Sequence, residues 1–181
     1  MTETLDIVDE QDNVVGRDTR DHIHRKGLLH REVWVWLFDP KRGILLQRRS
    51  KLKDRHPGLL GASIAGHVPA GKGYYETALR ESHEEAGLEL DESKLYVMEK
   101  IRTSTFDDIT QTKNETFKQV YAYRYYGRIE DIPLEQNEID GFEWWSLERL
   151  LNPSPSDAKQ LSPYFTSTTA QDILKKLWEL K

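Results

Sequence analysis

An α/β layered domain is the fold class the sequence predicts, and two patterns predict it. Short apolar runs with strand character, such as Val33–Phe38 and Ile44–Gln47, recur along the chain. Between and after them lie stretches in which apolar residues return every three or four positions, as in Thr168–Leu180. A length of 181 residues suits one domain with a buried core.

Leu5–Val8 and Val14–Val15 read as a hairpin around Gln11-Asp12-Asn13. Thr19–Lys26 reads as a short helix closed by Gly27. Val33–Phe38 and Ile44–Gln47 are strands joined by the turn Asp39-Pro40-Lys41-Arg42-Gly43. Residues 59–70 form a strand leading through a loop into a helix that Gly87 ends. Leu95–Arg102, Gln119–Arg128 and Phe142–Trp145 are further strands, and Ser146–Leu151 starts a helix. Asn152–Pro163, rich in proline and serine, is a loop. Thr168–Leu180 is the last helix, with Ile173, Leu174, Leu177 and Leu180 on one face.

The helix before Gly87 carries the chemistry. Glu81, Glu84 and Glu85 stack on one face, because offsets of three and four align on a helix. Tyr75, Leu79, Ser82 and Ala86 fall on the opposite side, as a core face. Three adjacent carboxylates repel one another. A solvated acidic face is the bland account; a hard divalent cation held by oxygen ligands is the other.

The frame around these glutamates resembles the Nudix box, the motif of a family of metal-dependent hydrolases acting on nucleoside diphosphates linked to another moiety. The pattern is a Gly, five residues, a Glu, seven residues, then Arg-Glu-apolar-any-Glu-Glu-any-Gly-apolar. Gly66, Arg80, Glu81, Glu84, Glu85, Gly87 and Leu88 fall in register; Lys72 replaces the first Glu, and Ser82 takes an apolar position. The resemblance implies a Nudix-type α/β/α sandwich with a mixed sheet and the loop-helix of the box. It implies one domain over residues 1–181, with an N-terminal hairpin extension (about 1–28) and a C-terminal helix (about 168–181). It also implies Mg²⁺ or Mn²⁺ on Glu81, Glu84 and Glu85, with the backbone carbonyl of Ala65 or Gly66 as a further ligand. Arg80 is expected to orient the glutamates.

Upstream, DIVDEQDNVVGRDTRDHIHRKGLLHREVWVWLFD, LLQRRSKLKD and HPGLLGASIAGH resemble the isopentenyl-diphosphate isomerase branch of the same superfamily. Where that branch has Cys-Gly-His, this chain has Ala65-Gly66-His67. Where it has Glu-Asn-Glu, this chain has Lys113-Asn114-Glu115. The thiol and one ligand carboxylate are lost, which leaves alkene isomerisation without its opposed proton donor and acceptor. Hydrolysis of a diphosphate linkage by water is therefore the expected activity, with a silent diphosphate-binding module as the alternative from another class.

For the general base, Glu138 stands six residues before Trp144, the spacing of a loop glutamate used by nucleotide-hydrolysing relatives; Glu115 ranks second, and a box glutamate such as Glu84 is a third option. Arg48, Arg49, Lys51, Lys53 and Arg55 are either a solvated loop or the cations that hold diphosphate oxygens, Arg48, Arg49 and Lys53 foremost. His30 and His67 are structural histidines, substrate contacts or a residual second metal site. His22, His24, His56 and His83 read as surface residues. Trp34, Trp36, Tyr74, Tyr75, Tyr121, Trp144 and Trp145 read as core aromatics, with base stacking as the functional alternative.

Composition, at 37% hydrophobic and 31% charged, is that of a soluble protein, and a net charge of −5 argues against general nucleic-acid binding. The longest apolar stretch is too short to span a bilayer. The acidic start lacks the basic and apolar regions of a signal peptide, and there is no cysteine. The expectation is a cytoplasmic enzyme, monomer or homodimer, whose partner is a small-molecule diphosphate.

Overall fold

The computed structural model describes residues 3–53, 55–107, 110–134 and 137–180. Strands β1 (Thr4–Val8) and β2 (Val14–Thr19) form a separate hairpin, followed by helix α1 (Arg20–Lys26). The main sheet contains β3 (Leu29–Asp39), β4 (Gly43–Arg49), β5 (Leu60–Gly61), β6 (Ile64–His67), β7 (Tyr96–Asp107), β8 (Thr112–Arg124) and β9 (Ile139–Trp145). Helix α2 (Tyr74–Ala86) follows β6, and α3 (Leu147–Leu151), α4 (Pro155–Ala158) and α5 (Thr168–Glu179) follow β9.

The sheet runs β5-β4-β3-β8-β7, with β6 on β3 and β9 on β4. Strand β3 pairs with β8 in parallel, from Leu29 opposite Glu115 to Phe38 opposite Arg124. Its other edge is shared: β6 pairs antiparallel over Glu32–Val35, and β4 takes over at Phe38 and Asp39. The sheet is thus mixed, and β3 reads as a near-continuous apolar run because both its faces are covered.

Alternation along the strands divides the core in two. Val33, Val35, Leu37, Leu45 and Tyr121 face the side packed by Ala78 and Ala86 of α2. Trp36, Phe38, Ile44, Leu46, Val120 and Ala122 face Leu150 of α3 and Ile173, Leu174 and Leu177 of α5. The result is an α/β/α sandwich.

Several elements differ from the sequence expectation. The strand expected at Gln119–Arg128 spans Thr112–Arg124, and its partner continues to Asp107. The TKNETFKQ segment is too polar to signal a strand; its order comes from pairing on both edges. The run 59–70 divides into two short strands, and the expected loop at 152–163 contains α4, capped by Ser154 with Pro155 in its first turn. On α2, Tyr75 is exposed and donates to the Glu92 carbonyl (3.0 Å), while Thr77 and Ala78 turn inward instead. Ser82 is fully buried and returns its hydroxyl to the Ala78 carbonyl at 2.7 Å, which reconciles a polar residue with a core position.

The hairpin is fastened down. Leu5 is fully buried and bridges Pro69, Ala70 N–H donates to the Thr4 carbonyl (2.9 Å), and Gly71 N–H donates to Asp6 Oδ2 (2.7 Å). At its tip Asp12, in the left-handed region (φ 65°), accepts from Arg31 Nε (2.6 Å), Lys100 Nζ (2.7 Å) and the Tyr74 hydroxyl (3.0 Å). Among the described residues no helix is long and apolar enough to cross a membrane.

Candidate active site

An open cleft of about 840 Å³ is lined by α2, β6 and the Glu32 and Trp34 side chains of β3. Glu81, Glu84 and Glu85 line it together with Ala65 and Gly66. A Cβ at Gly66 would stand 2.1 Å from the Glu81 carboxylate, so any side chain here displaces that carboxylate. Glu85 Oε2 accepts from Ala65 N–H (3.1 Å) and Gln47 Nε2 (3.0 Å). Arg80 donates to Glu81 Oε1 (2.5 Å) and forms an ion pair with Glu84. Burial pushes the Glu81 carboxyl up to about 7, against the opposing charge of Arg80 and with added repulsion from Glu84.

The basic cluster divides by strand alternation. Arg49 lines the cleft, with its Nε donating to the Arg55 carbonyl (2.9 Å); burial lowers its pKa although Glu85 and Glu138 counteract. Lys53 and Arg55 also face the cleft, Lys53 in an ion pair with Glu138 and Arg55 3.5 Å from Asp107. Arg48 points to the other side of the sheet, onto Glu143, the Gly58 carbonyl (2.8 Å) and Gln160 (3.1 Å), and does not line the cleft. Glu138 stands on the rim. Glu115 does not: it is buried beneath Lys113 (2.7 Å) and Ser104, with Arg102 at 3.7 Å.

At one end of the cleft three imidazoles converge. The donor atoms of His24, His30 and His67 lie within 4.8 Å of one another, and among the described residues this is the group of His, Asp or Glu side chains that converges so closely. His24, expected on the surface, is buried, because α1 turns it inward against His67 (Nε2 to Nε2 3.2 Å). His30 Nδ1–H donates to the Leu28 carbonyl (2.9 Å), and its buried Nε2 has no partner among the described residues. Burial, followed by the neighbouring charges of His30 and Arg20, lowers His24 to about 4; His30 and His67 are lowered too, chiefly by burial.

The sequence reading missed the floor beside them. Glu32 and Lys118 form a buried ion pair (2.7 Å); Asn114 donates to Glu32 (2.8 Å), and His67 lies 3.4 Å from it. Burial penalises the Glu32 charge, yet Lys118, His67, His30 and Asn114 hold its carboxyl well below the usual range. Lys118 Nζ sits 4.6 Å from the Trp34 ring centroid, and Tyr164 meets Trp34 edge-on at 4.3 Å. No local signal marked them, since Glu32 and Lys118 stand in the polar first halves of β3 and β8, and only the pairing of these strands brings the two together.

Fold and site together define a Nudix-type protein. Residues 28–165 match the NUDIX domain model, and the chain belongs to that family. Over 151 residues it is 30% identical to isopentenyl-diphosphate Delta-isomerase 2 of Photorhabdus laumondii, covering 83% of this chain and 81% of that one. Ala65 replaces the cysteine of that branch. An uncharacterized Nudix hydrolase of Yersinia pestis is 43% identical over 88 residues, a match that spans 49% of this chain and 48% of that relative. Among solved structures, DR0079 of Deinococcus radiodurans superposes with a TM-score of 0.73 at 26% identity, covering 97% of this chain and 99% of that one. A MutT protein of Methanosarcina mazei shares the fold, with a TM-score of 0.61 at 20% identity.

Proposed function

We propose that the protein is a Mg²⁺-dependent hydrolase of a P–O–P linkage in a nucleotide-type or small organic diphosphate, with water attacking phosphorus. The carrying observation is that Glu81, Glu84 and Glu85 share one cleft with Arg49, Lys53 and Arg55. The donor set suits a divalent ion: all ligands are hard oxygens, Gly66 leaves Glu81 room against the loop, and burial of Glu81 favours a compensating cation. Glu81, Glu84, Glu85 and the carbonyl of Ala65 or Gly66 would hold Mg²⁺, or Mn²⁺ in its place. When bound, the ion neutralises diphosphate oxygens and the charge that develops on them.

The chain's own groups do the rest. Arg49, Lys53 and Arg55 orient the anion, and Arg80 holds the glutamates in register. Glu138 is the first candidate to take the proton of the attacking water, because it stands on the rim; Glu115 ranks lower for being tied to Lys113 away from the cleft. Glu84, the most exposed box glutamate, is the remaining option. His67 borders the cleft and can reach substrate, whereas His30 acts through it. Lys72, which replaces the first Glu of the box, pairs with Glu76 (2.6 Å) and does not line the cleft.

The test is phosphate and pyrophosphate release from a panel of nucleotide and organic diphosphates with Mg²⁺ or EDTA. Mg²⁺-dependent turnover that disappears in Glu84→Gln/Glu85→Gln is the expected result. No turnover, with diphosphates still raising the melting temperature, would favour the binding module.

A further inference from the structure

We propose that Glu3, carried by the N-terminal hairpin, is a further carboxylate of the metal centre and acts on the ion through its coordinated water. The inference rests on the hydrolase reading above. The family model begins at residue 28, so the hairpin lies outside the part of the chain that the family defines. Glu3 nevertheless lines the same cleft as the three box glutamates.

Its place there is set by backbone bonds. The Glu3 carbonyl accepts from Arg20 N–H at 2.9 Å, which ties it to the start of α1. The next three residues bind the loop that leads into α2: Thr4 through Ala70 N–H, Leu5 through its bridge to Pro69, and Asp6 through Gly71 N–H. These bonds tie the hairpin, and with it the Glu3 backbone, to the box loop.

The electrostatics agree. The charge of Glu3 is felt at Glu81, and that of Arg80 is felt at Glu3. Among the described residues the cation within ion-pair range of Glu3 is Arg20, at 3.6 Å, too long for a direct hydrogen bond. Its oxygens thus retain acceptor capacity toward the cleft. Glu3 lines the cleft from the start of the hairpin, whereas the box glutamates line it from α2. Mg²⁺ keeps several waters in such sites, and a carboxylate that shares the cleft with its ligands can accept hydrogen bonds from them and fix their orientation.

Mn²⁺ binding to the full-length protein, read by electron paramagnetic resonance, tests this without any substrate. The component lost in Glu84→Gln/Glu85→Gln identifies the box site. In Glu3→Gln we expect that component to weaken by about tenfold, with the melting temperature of the metal-free protein unchanged and Glu3→Asp intermediate. Equal affinity in wild type and Glu3→Gln overturns the proposal. A fall in metal-free melting temperature that accounts for the weakening also overturns it, because Glu3 is then only a strut for Arg20. Absence of the box-site component from the wild type would bring down the hydrolase reading itself.

Discussion

Glu81 packs its carboxylate against Gly66 and has its carboxyl pushed up to about 7, chiefly by burial. In the metal-free protein it therefore holds a proton that the unfolded chain releases from about pH 4.5 upward. Stability contributed below that range is lost as pH rises to about 7, on the order of 3 kcal/mol. Differential scanning fluorimetry in EDTA should show a melting-temperature difference, wild type minus Glu81→Gln, that falls between pH 5 and 8. Glu81→Gln should also abolish Mg²⁺-dependent turnover. Gly66→Ala tests the same contact from the other side: the new methyl must displace the carboxylate, and kcat should drop about hundredfold while the melting temperature changes little. The clustering of these glutamates was legible because helical periodicity is local. The inward turn of His24 was not, since its partner His67 is distant in sequence and only the docking of α1 brings them together.

At the scale of elements, the β1–β2 hairpin is held by few but strong contacts. Asp12 takes Arg31, Lys100 and Tyr74 onto one largely buried carboxylate. Asp12→Ala leaves those donors unmatched and also forces alanine into a left-handed backbone, so a loss of about 2–3 kcal/mol is expected in urea unfolding. Asp12→Asn keeps the backbone preference and part of the hydrogen bonding, and should cost less. Strand alternation makes a second comparison on β4. Arg49→Ala should raise KM for a diphosphate, whereas Arg48→Ala should lower stability and leave KM unaltered. Sequence identified this basic run but treated Arg48 and Arg49 alike. Which of two neighbours faces the cleft depends on strand phase, and that is fixed by β9 and β5 on the two edges of β4. Most strands were legible wherever apolar residues alternate; the first half of β8 was not, because its buried positions are Asn114, Glu115 and Thr116.

For the molecule as a whole, the histidine cluster adds a second pH response with the opposite sign. His24 is lowered to about 4 from an ordinary value of 6.5, so the unfolded chain gains a proton first and metal-free stability is lost as pH falls through that window. Three neutral imidazoles within 4.8 Å also suit a borderline cation. Added Zn²⁺ should raise the melting temperature at pH 7.5, keep that effect at pH 5, where the folded imidazoles are still neutral, and lose it at both values in His67→Ala. The cleft between these groups and the box has walls drawn from segments far apart in the chain. Lys53, Arg55 and His56 form one, Thr103–Phe106 another, and Tyr164 and Ser167 a third. The three box glutamates, in contrast, all come from one helix. A lineage built this way can exchange substrates by rewriting three separate segments independently, while selection on the carboxylate helix continues undisturbed.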